Sequence, residues 1–141
     1  MTDRVHASAA PAPVGAYPHA RRVGNLLFLS GIGSRCPGSD AIPGNVIGAD
    51  GKLLGHDIEA QCHQVFANVR TVLKAAHARW EDLIDITVYL TDMEHDFDTF
   101  NRVYTDYFPS AQPCRTTVGI GALPTAIAIE LKCIAVISGE A

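Results

Sequence analysis

The chain has 141 residues, of which 48% are apolar and 18% are charged, a composition typical of one globular domain rather than of a disordered chain. Its formal net charge of −4 argues against a nucleic-acid-binding protein, because phosphate binding requires clustered Lys and Arg. No apolar run approaches the ~18 residues of a transmembrane helix, and residues 1–15 lack the apolar core of a signal peptide.

The N-terminal part of the chain is predicted to contain a flexible start, one strand and a long loop. Residues 1–12 are rich in Ala and Pro, which predicts flexibility. The apolar run "NLLFLSG" (Asn25–Gly31) predicts a buried strand that ends at glycine. Residues 33–55 are dense in Gly, Pro, Asn and Asp, which predicts a long loop with room for a short strand or hairpin. Loops of this length in small domains are often functional.

The middle of the chain predicts a helix followed by a strand. Asp57 suits a helix N-cap, and apolar residues follow it at helical spacing to about residues 77–79. The segment "DLIDITVYLTD" (Asp82–Asp92) alternates between apolar and polar residues, which predicts a half-buried strand.

The C-terminal part predicts a second helix over about Asp96–Phe108 and two further strands, "RTTVGIG" and "AIAIELKCIAVI". The order of elements predicts a single α+β domain over residues 1–141, with two helices on one face of a mixed sheet. The other face of the sheet must then be covered, most simply by another subunit.

Two charged residues, Arg115 and Glu130, lie in strands that otherwise resemble core. Burying a charge is costly unless it is paired or hydrogen-bonded. Arg115 is either a surface arginine at a strand end or a fork that binds a carboxylate. Glu130 is either a structural ion-pair partner of Arg115 or Lys132, or an acid–base group whose pKa is tuned by burial. If the two strands are neighbours, both side chains could share one face.

The remaining candidates are weaker. Tyr17, in the loop "GAYPHA", is either a structural anchor or a site residue. Cys62 and His63 are consecutive and point about 100° apart on a helix, which suits neither a metal site nor a nucleophile pair. Cys114 has no histidine near it in sequence, which disfavours a nucleophile. The four cysteines form no CxxC pair and are expected to be free thiols in a reducing cytoplasm.

Several stretches, in order, resemble the RidA-type (reactive intermediate deaminase) family. They are "GAYPHA", "LFLSGIG", "IEAQCHQVFANVRTVLKAA", "DITVYLTDM", "FNRVYTDYF" and "PCRTTVGIGALPTAIAIELKCIAV". The most specific part is the Pro-x-Arg-Thr corner, followed by Leu-Pro and by an apolar strand that carries Glu. The resemblance implies a chorismate-mutase-like α+β fold with a six-stranded mixed sheet. It also implies a homotrimer in which the sheets form a central barrel, with clefts between subunits.

The resemblance also implies an activity, the hydrolysis of enamine or imine acids to keto acids and ammonia without cofactor or metal. Arg115 corresponds to the family's arginine, which holds the substrate carboxylate. Glu130 corresponds to its glutamate, which orients or activates water. Other positions that match substrate-binding residues of the family are Tyr17, Ser30, Gly31 and Asn101.

The chain departs from the common family pattern at a few positions. His19 replaces a common glutamine, Pro18 replaces a common serine, and Thr117 stands where many members have cysteine. The loop at residues 33–55 is longer than in compact members. These departures put the usual small substrates, 2-iminobutanoate and 2-iminopropanoate, in doubt.

The stretches "GIGSR", "IEAQCH" and "WEDLIDITVYLTDM" most resemble the branch called 2-aminomuconate deaminase. That branch implies conversion of 2-aminomuconate to 4-oxalocrotonate in aromatic and tryptophan catabolism. Because this substrate has two carboxylates and Arg115 can neutralise one, a second cation or donor is expected. Arg35 and His19 are the candidates, and either could instead be plain surface.

Two alternatives stay open. One is a general deaminase of reactive imines, and the other is a non-enzymatic trimer that binds small carboxylates or acts as a chaperone-like surface. RNA cleavage, which has been attributed to relatives, is disfavoured by the acidic charge and the missing basic stripe.

Overall fold

The structure is a computed structural model that describes residues 3–39 and 41–137. Within these residues the chain forms nine β-strands, two α-helices and one 3-10 helix. In chain order the elements are β1 (Arg4–Val5), β2 (Ala20–Val23), β3 (Leu26–Leu29), β4 (Ile32–Gly33), β5 (Val46–Ile47), β6 (Leu53–Gly55), α1 (Ile58–Ala75), the 3-10 helix (Trp80–Asp82), β7 (Leu83–Leu90), α2 (Met93–Tyr107), β8 (Cys114–Gly119) and β9 (Ile129–Val136).

The main sheet is mixed and carries both helices on one face. Its strands lie in the order β1-β2-β3-β9-β7-β8, with β8 parallel to β7 and every other pair on this path antiparallel. The helices pack on the face that holds Ile86, Val88, Leu131 and Cys133, each of which is fully buried. The predicted α+β fold with two helices on one sheet face is confirmed. The hairpin β5–β6 lies in the predicted long loop.

The sheet has one strand segment more than the six that the resemblance implies, because the strand beside β9 is split into β3 and β4, and β4 lies just beyond the predicted strand Asn25–Gly31. Both β3 and β4 pair with β9, with Phe28 opposite Ile134 and Ile32 opposite Leu131. The β3–β4 side therefore contains one residue more than the β9 side. A one-residue β-bulge at residues 29–31 accounts for the split and locally changes the direction of the backbone.

Helix α1 begins as predicted and ends slightly earlier than predicted. The Asp57 carboxylate accepts hydrogen bonds from the N–H groups of Glu59 (3.0 Å) and Ala60 (3.3 Å), which caps the helix. Just beyond the last helical residue, His77 adopts φ of 59°, a left-handed conformation that cannot continue an α-helix. Neither α1 nor α2 is long and apolar enough to cross a membrane.

Helix α2 begins earlier than the predicted Asp96. Asp92 is the cap, and its carboxylate accepts a hydrogen bond from the His95 N–H at 3.2 Å. Asp96 instead lies in the first turn, is 5% exposed, and contacts the Nε2 atom of His56 at 2.6 Å. The predicted start of the helix was wrong because Asp92 and Asp96 both suit a cap by residue type. The contact of Asp96 with His56, which is distant in sequence, leaves Asp92 as the cap.

The N-terminal segment is packed on the domain, whereas its composition predicts flexibility over residues 1–12. Strand β1 pairs with β2, and the Arg21 guanidinium donates a hydrogen bond to the Asp3 carboxylate at 2.7 Å. Ala7 and Ala10 are buried. The composition could not reveal this packing, because the partners of the segment lie further along the chain.

The sheet face opposite the helices carries partly exposed apolar side chains. Leu26, Phe28, Ile134 and Val136 all lie on this face and are half-buried in the single chain. The homotrimer implied by the family resemblance would cover this face, and it stays a prediction.

A buried glutamine connects α1 to three loops that surround the bulge. The Gln61 side chain is fully buried, and its Oε1 atom accepts hydrogen bonds from the Ser34 hydroxyl and from the Ala128 N–H, both at 2.8 Å. Its Nε2 atom donates to Asn45 Oδ1 at 2.9 Å. Because these partners are far apart in sequence, Gln61 fixes the loops relative to one another.

We expect Gln61→Leu to lower the free energy of unfolding by about 2–3 kcal/mol, since it leaves a buried N–H and a buried hydroxyl without partners. Urea denaturation at fixed protein concentration measures the loss. Gln112→Leu is the matched control, because Gln112 is exposed and makes one long hydrogen bond of 3.4 Å. Equal stability of the two variants would contradict the structural role of Gln61.

Candidate active site

Arg115 is held on an aromatic surface of α2. It lies opposite the core residue Ile86 in the β7–β8 register, so its side chain leaves the sheet on the helix face. Its Nη1 atom donates to Asn101 Oδ1 at 2.8 Å. Its guanidinium carbon lies 4.7 Å from the ring centroid of Tyr104 and 5.3 Å from that of Phe100. The aromatic rings and Asn101 together fix the position of the guanidinium. Asn101 engages one of its N–H groups, so the other N–H groups can donate to a carboxylate.

Two buried hydroxyl groups accompany Arg115. The Tyr104 hydroxyl and Thr117 Oγ1 have no hydrogen-bond partner among the described residues. Thr117 lies two residues beyond Arg115 and faces the same side of the strand. Burial raises the pKa of Tyr104 to about 12, although Arg115 acts in the opposite direction, so the phenol remains protonated at neutral pH. Since buried hydroxyls are usually hydrogen-bonded, both are candidates to bind a polar ligand.

Glu130 lies on β9 as a half-buried carboxylate without an ion-pair partner in the described parts of the chain. Burial raises the pKa of Glu130 above its ordinary value. Lys132, one partner considered from the sequence, instead donates a hydrogen bond to the Leu29 carbonyl at the bulge. Glu130 therefore has the environment of an acid–base group rather than that of a structural ion pair.

Arg115 and Glu130 are on opposite faces of the sheet. Strands β8 and β9 are not neighbours, because β7 lies between them. On β7, Ile86 is opposite Arg115 and Tyr89 is opposite Glu130. Ile86 and Tyr89 are three positions apart on β7, so their side chains leave opposite faces of the sheet. Arg115 and Glu130 follow their partners and also lie on opposite faces. The expectation that the two side chains share one face within the chain, which assumed neighbouring strands, is wrong.

The bulge at residues 29–31 brings backbone close to Glu130. A Cβ atom at Gly31 would lie 2.7 Å from Glu130 Oε2, so a larger residue there would require the carboxylate or the backbone to shift. The Ser30 hydroxyl donates to the Pro18 carbonyl at 2.7 Å. Gly31 therefore lies beside the Glu130 carboxylate, whereas the Ser30 side chain is engaged with the backbone.

A cleft lies beside this bulge. Five of the predicted substrate-binding residues line it: Tyr17, His19, Ser30, Gly31 and Arg35. Within the chain, the structure therefore separates the predicted site into two groups. One group is Arg115, Asn101 and Thr117 at the sheet edge, and the other is this cleft with the neighbouring Glu130.

The cysteines and metal-binding residue types give no second candidate site. Burial raises the pKa of the Cys62 and Cys133 thiols to about 12, so both remain protonated at neutral pH. Cys114 is an exposed free thiol. Over residues 3–39 and 41–137, no three or more His, Cys, Asp or Glu side chains are grouped as metal ligands.

The sequence reasoning identified the charged residues of the site but missed its aromatic support. The sequence places Phe100 and Tyr104 within the second predicted helix, Asp96–Phe108, and the structure places both under the Arg115 guanidinium. Their spacing put them on one helix face. The presence of an arginine over that face depends on the packing of α2 against the sheet.

The chain was then compared with known proteins. The family model described as Endoribonuclease L-PSP matches residues 7–137. The chain is 36% identical over 131 residues to Reactive Intermediate Deaminase A, chloroplastic, of Arabidopsis thaliana. This match covers 93% of the chain and 64% of that longer protein. A RutC family protein of Pyrococcus horikoshii is 36% identical over 135 residues, which cover 96% of this chain and 98% of that protein.

A solved structure gives a similar result. Escherichia coli TdcF with bound serine superposes with a TM-score of 0.81 at 30% identity, covering 96% of this chain and 98% of that one. The similarity therefore extends over almost the whole of both chains.

We expect Gly31→Ala to displace the Glu130 carboxylate or the bulge, because the added methyl group would lie 2.7 Å from Oε2. A crystal structure of the variant measures the displacement. Gly121→Ala is the control, since a Cβ atom there meets nothing within 4 Å. A variant structure in which neither Glu130 nor the bulge has moved would contradict the close approach.

Proposed function

This chain belongs to the Endoribonuclease L-PSP family, which includes the RidA-type proteins, and we propose that it hydrolyses the enamine or imine form of an amino acid to a keto acid and ammonia. The observation that carries the proposal is the guanidinium of Arg115, which is fixed by Asn101 and by aromatic rings yet keeps free donors. A planar fork of donors binds a carboxylate in one orientation. Every substrate of this class carries such a carboxylate next to the reacting carbon.

Glu130 is the proposed acid–base group. A general base is most effective when its pKa is near the operating pH, and burial raises the pKa of Glu130 in that direction. Because the Glu130 carboxylate touches the glycine of the bulge rather than a cation, its oxygens are available to water or substrate.

We propose that Arg115 and Glu130 meet between copies of the chain. In one chain β7 separates them and they leave opposite faces of the sheet, so one substrate cannot contact both. A cyclic assembly places different surfaces of neighbouring copies in contact, which can bring Arg115 of one copy to Glu130 of the next. The partly apolar open face of the sheet supports such an assembly, for which the family resemblance suggests a trimer.

The proposed reaction proceeds in three steps. Arg115 binds the carboxylate next to the carbon that carries nitrogen, and an enamine takes up a proton at carbon and gives up one from nitrogen to become an imine. Glu130 accepts a proton from water as the water oxygen bonds to the imine carbon, and passes it to nitrogen, which gives a carbinolamine. Glu130 then transfers the proton of the new hydroxyl group to nitrogen as the C=O bond forms and the C–N bond breaks, so ammonia leaves and the keto acid remains.

We expect Arg115→Ala and Glu130→Gln each to lower kcat/KM for 2-iminobutanoate by about 100-fold, because each removes a charged contact to the reacting groups. Ammonia release measures the activity. Arg102→Ala is the control, since Arg102 lies on α2 next to Asn101 but pairs with Glu59 at 2.6 Å. Normal activity of Arg115→Ala would contradict the proposed function.

Co-expression of the two variants tests where the site lies. In a statistically mixed cyclic assembly, about a quarter of the sites would combine an intact Arg115 with an intact Glu130 from different copies. The hybrid should therefore regain activity that neither variant shows alone. A hybrid as inactive as its parents would place the site within one chain.

Carboxylate binding without ammonia release from any imine would instead favour the non-enzymatic binding protein.

For the narrower substrate 2-aminomuconate, we propose Arg35 as the group that binds the second carboxylate. Arg35 lines the cleft beside Gly31, and its Nη2 atom donates to the Ala12 carbonyl at 2.6 Å, which leaves its other N–H groups available. His19 suits this role less well, because backbone groups contact both of its ring nitrogens.

We expect Arg35→Ala to lower kcat/KM for 2-aminomuconate by roughly 10–100-fold more than for 2-iminobutanoate, which has one carboxylate. Parallel assays of both substrates measure the ratio. Arg22→Ala is the matched control, because Arg22 likewise donates to one backbone carbonyl, that of Gly24 at 2.9 Å. Equal losses for both substrates would leave general imine deamination as the function.

A further inference from the structure

The N-terminal strap, defined as residues 7–14, forms one side of the cleft beside the bulge. Ala10, Pro11 and Pro13 line the cleft from the strap, and Ser30 and Gly31 line it from the sheet. Ligand access to this cleft from that side therefore depends on the position of the strap.

Side chains of the domain fasten the strap through its backbone. The Ala7 N–H donates to His19 Nδ1 at 3.0 Å, and His19 Nε2 contacts the Pro11 carbonyl oxygen at 2.8 Å. The Arg35 guanidinium donates to the Ala12 carbonyl, and the Val14 N–H donates to the Tyr17 hydroxyl at 3.1 Å. His19 is the one residue among these that bonds the strap at two points.

The partners of His19 fix its protonation state. A backbone N–H can only donate, so Nδ1 must present a lone pair to Ala7. A carbonyl oxygen can only accept, so Nε2 must carry the proton that is donated to Pro11. The neutral imidazole makes both bonds, whereas the imidazolium would direct an N–H group at the N–H of Ala7.

We propose that His19 is a positioning residue that holds the strap over the cleft as neutral imidazole, and that its protonation releases the strap. Both backbone bonds form when the imidazole is neutral, and they cannot both form when it is protonated. The release opens the cleft beside Gly31 and Glu130.

Other charged groups surround His19 and belong in the test. Arg35 and Tyr17 line the same cleft, His6 is exposed just before the strap, and Arg4 lies in β1. Asp3 pairs with Arg21, which lowers the pKa of Asp3, so this contact persists through the range in which histidines titrate. His6 is thus the second group whose protonation must be separated from that of His19.

Glutamine provides the matched substitution. Its Oε1 atom can accept from Ala7 and its Nε2 group can donate to Pro11, but it gains no proton in this range. His19→Gln should therefore keep the strap fastened at every pH tested, and His6→Gln removes the other histidine without touching these bonds.

Amide hydrogen exchange at Ala7, expressed as a protection factor at pH 8 and pH 5.5, tests the proposal on the full chain. We expect wild type and His6→Gln to lose roughly tenfold or more of this protection at pH 5.5, and His19→Gln to keep it. Exchange at Val69 in the core of α1 verifies that each variant stays folded. Unchanged protection in wild type, an equal loss in His19→Gln, or a response abolished by His6→Gln would each overturn the proposal.

A nitrogen-15 spectrum of the imidazole gives an independent reading. We expect the tautomer with hydrogen on Nε2 for His19 at pH 8, and hydrogen on Nδ1 would overturn the assignment. Neither measurement uses catalysis, so both results are independent of whether the protein has the proposed deaminase activity.

Discussion

The position of β7 between β8 and β9 is the constraint on which the site depends. Backbone hydrogen bonds fix this strand order, and the two-residue period of each strand then decides which side chains leave which face. Arg115 consequently lies over the aromatic rings of α2, and Glu130 lies on the open face. A single chain thus holds Arg115 and Glu130 apart, and the proposed function requires an assembly that brings the two groups together.

The bulge at residues 29–31 has a comparable effect on the second half of the site. It inserts one residue opposite β9, places Gly31 against the Glu130 carboxylate, and leaves the Leu29 carbonyl for Lys132. Because Lys132 is engaged there, Glu130 has no ion-pair partner among the described residues and its pKa is governed by burial. One backbone irregularity therefore sets the electrostatics of the proposed acid–base group.

Much of the fold was predictable because the local patterns are strong. The cap at Asp57, the apolar face of α1 and the alternation of β7 all agree with the structure. The misplaced start of α2 and the packed N-terminal segment share a different cause. In both, a distant partner decides the outcome, His56 for Asp96 and His19 for the strap, and residue type alone does not reveal such a partner.

The sequence by itself determined the two helices and the strands β3, β7, β8 and β9, which of their faces are apolar, and that an arginine and a glutamate occur within strands. These properties follow from side-chain chemistry and from the helix and strand periods, which act over a few residues. Only the tertiary structure decided that Arg115 and Glu130 face opposite ways and that His19 must be neutral to bond the strap. The physical reason is that strand pairing and these hydrogen bonds use backbone N–H and C=O groups, which are the same in nearly every residue. Residue type therefore does not show which distant segment a strand or side chain will bind.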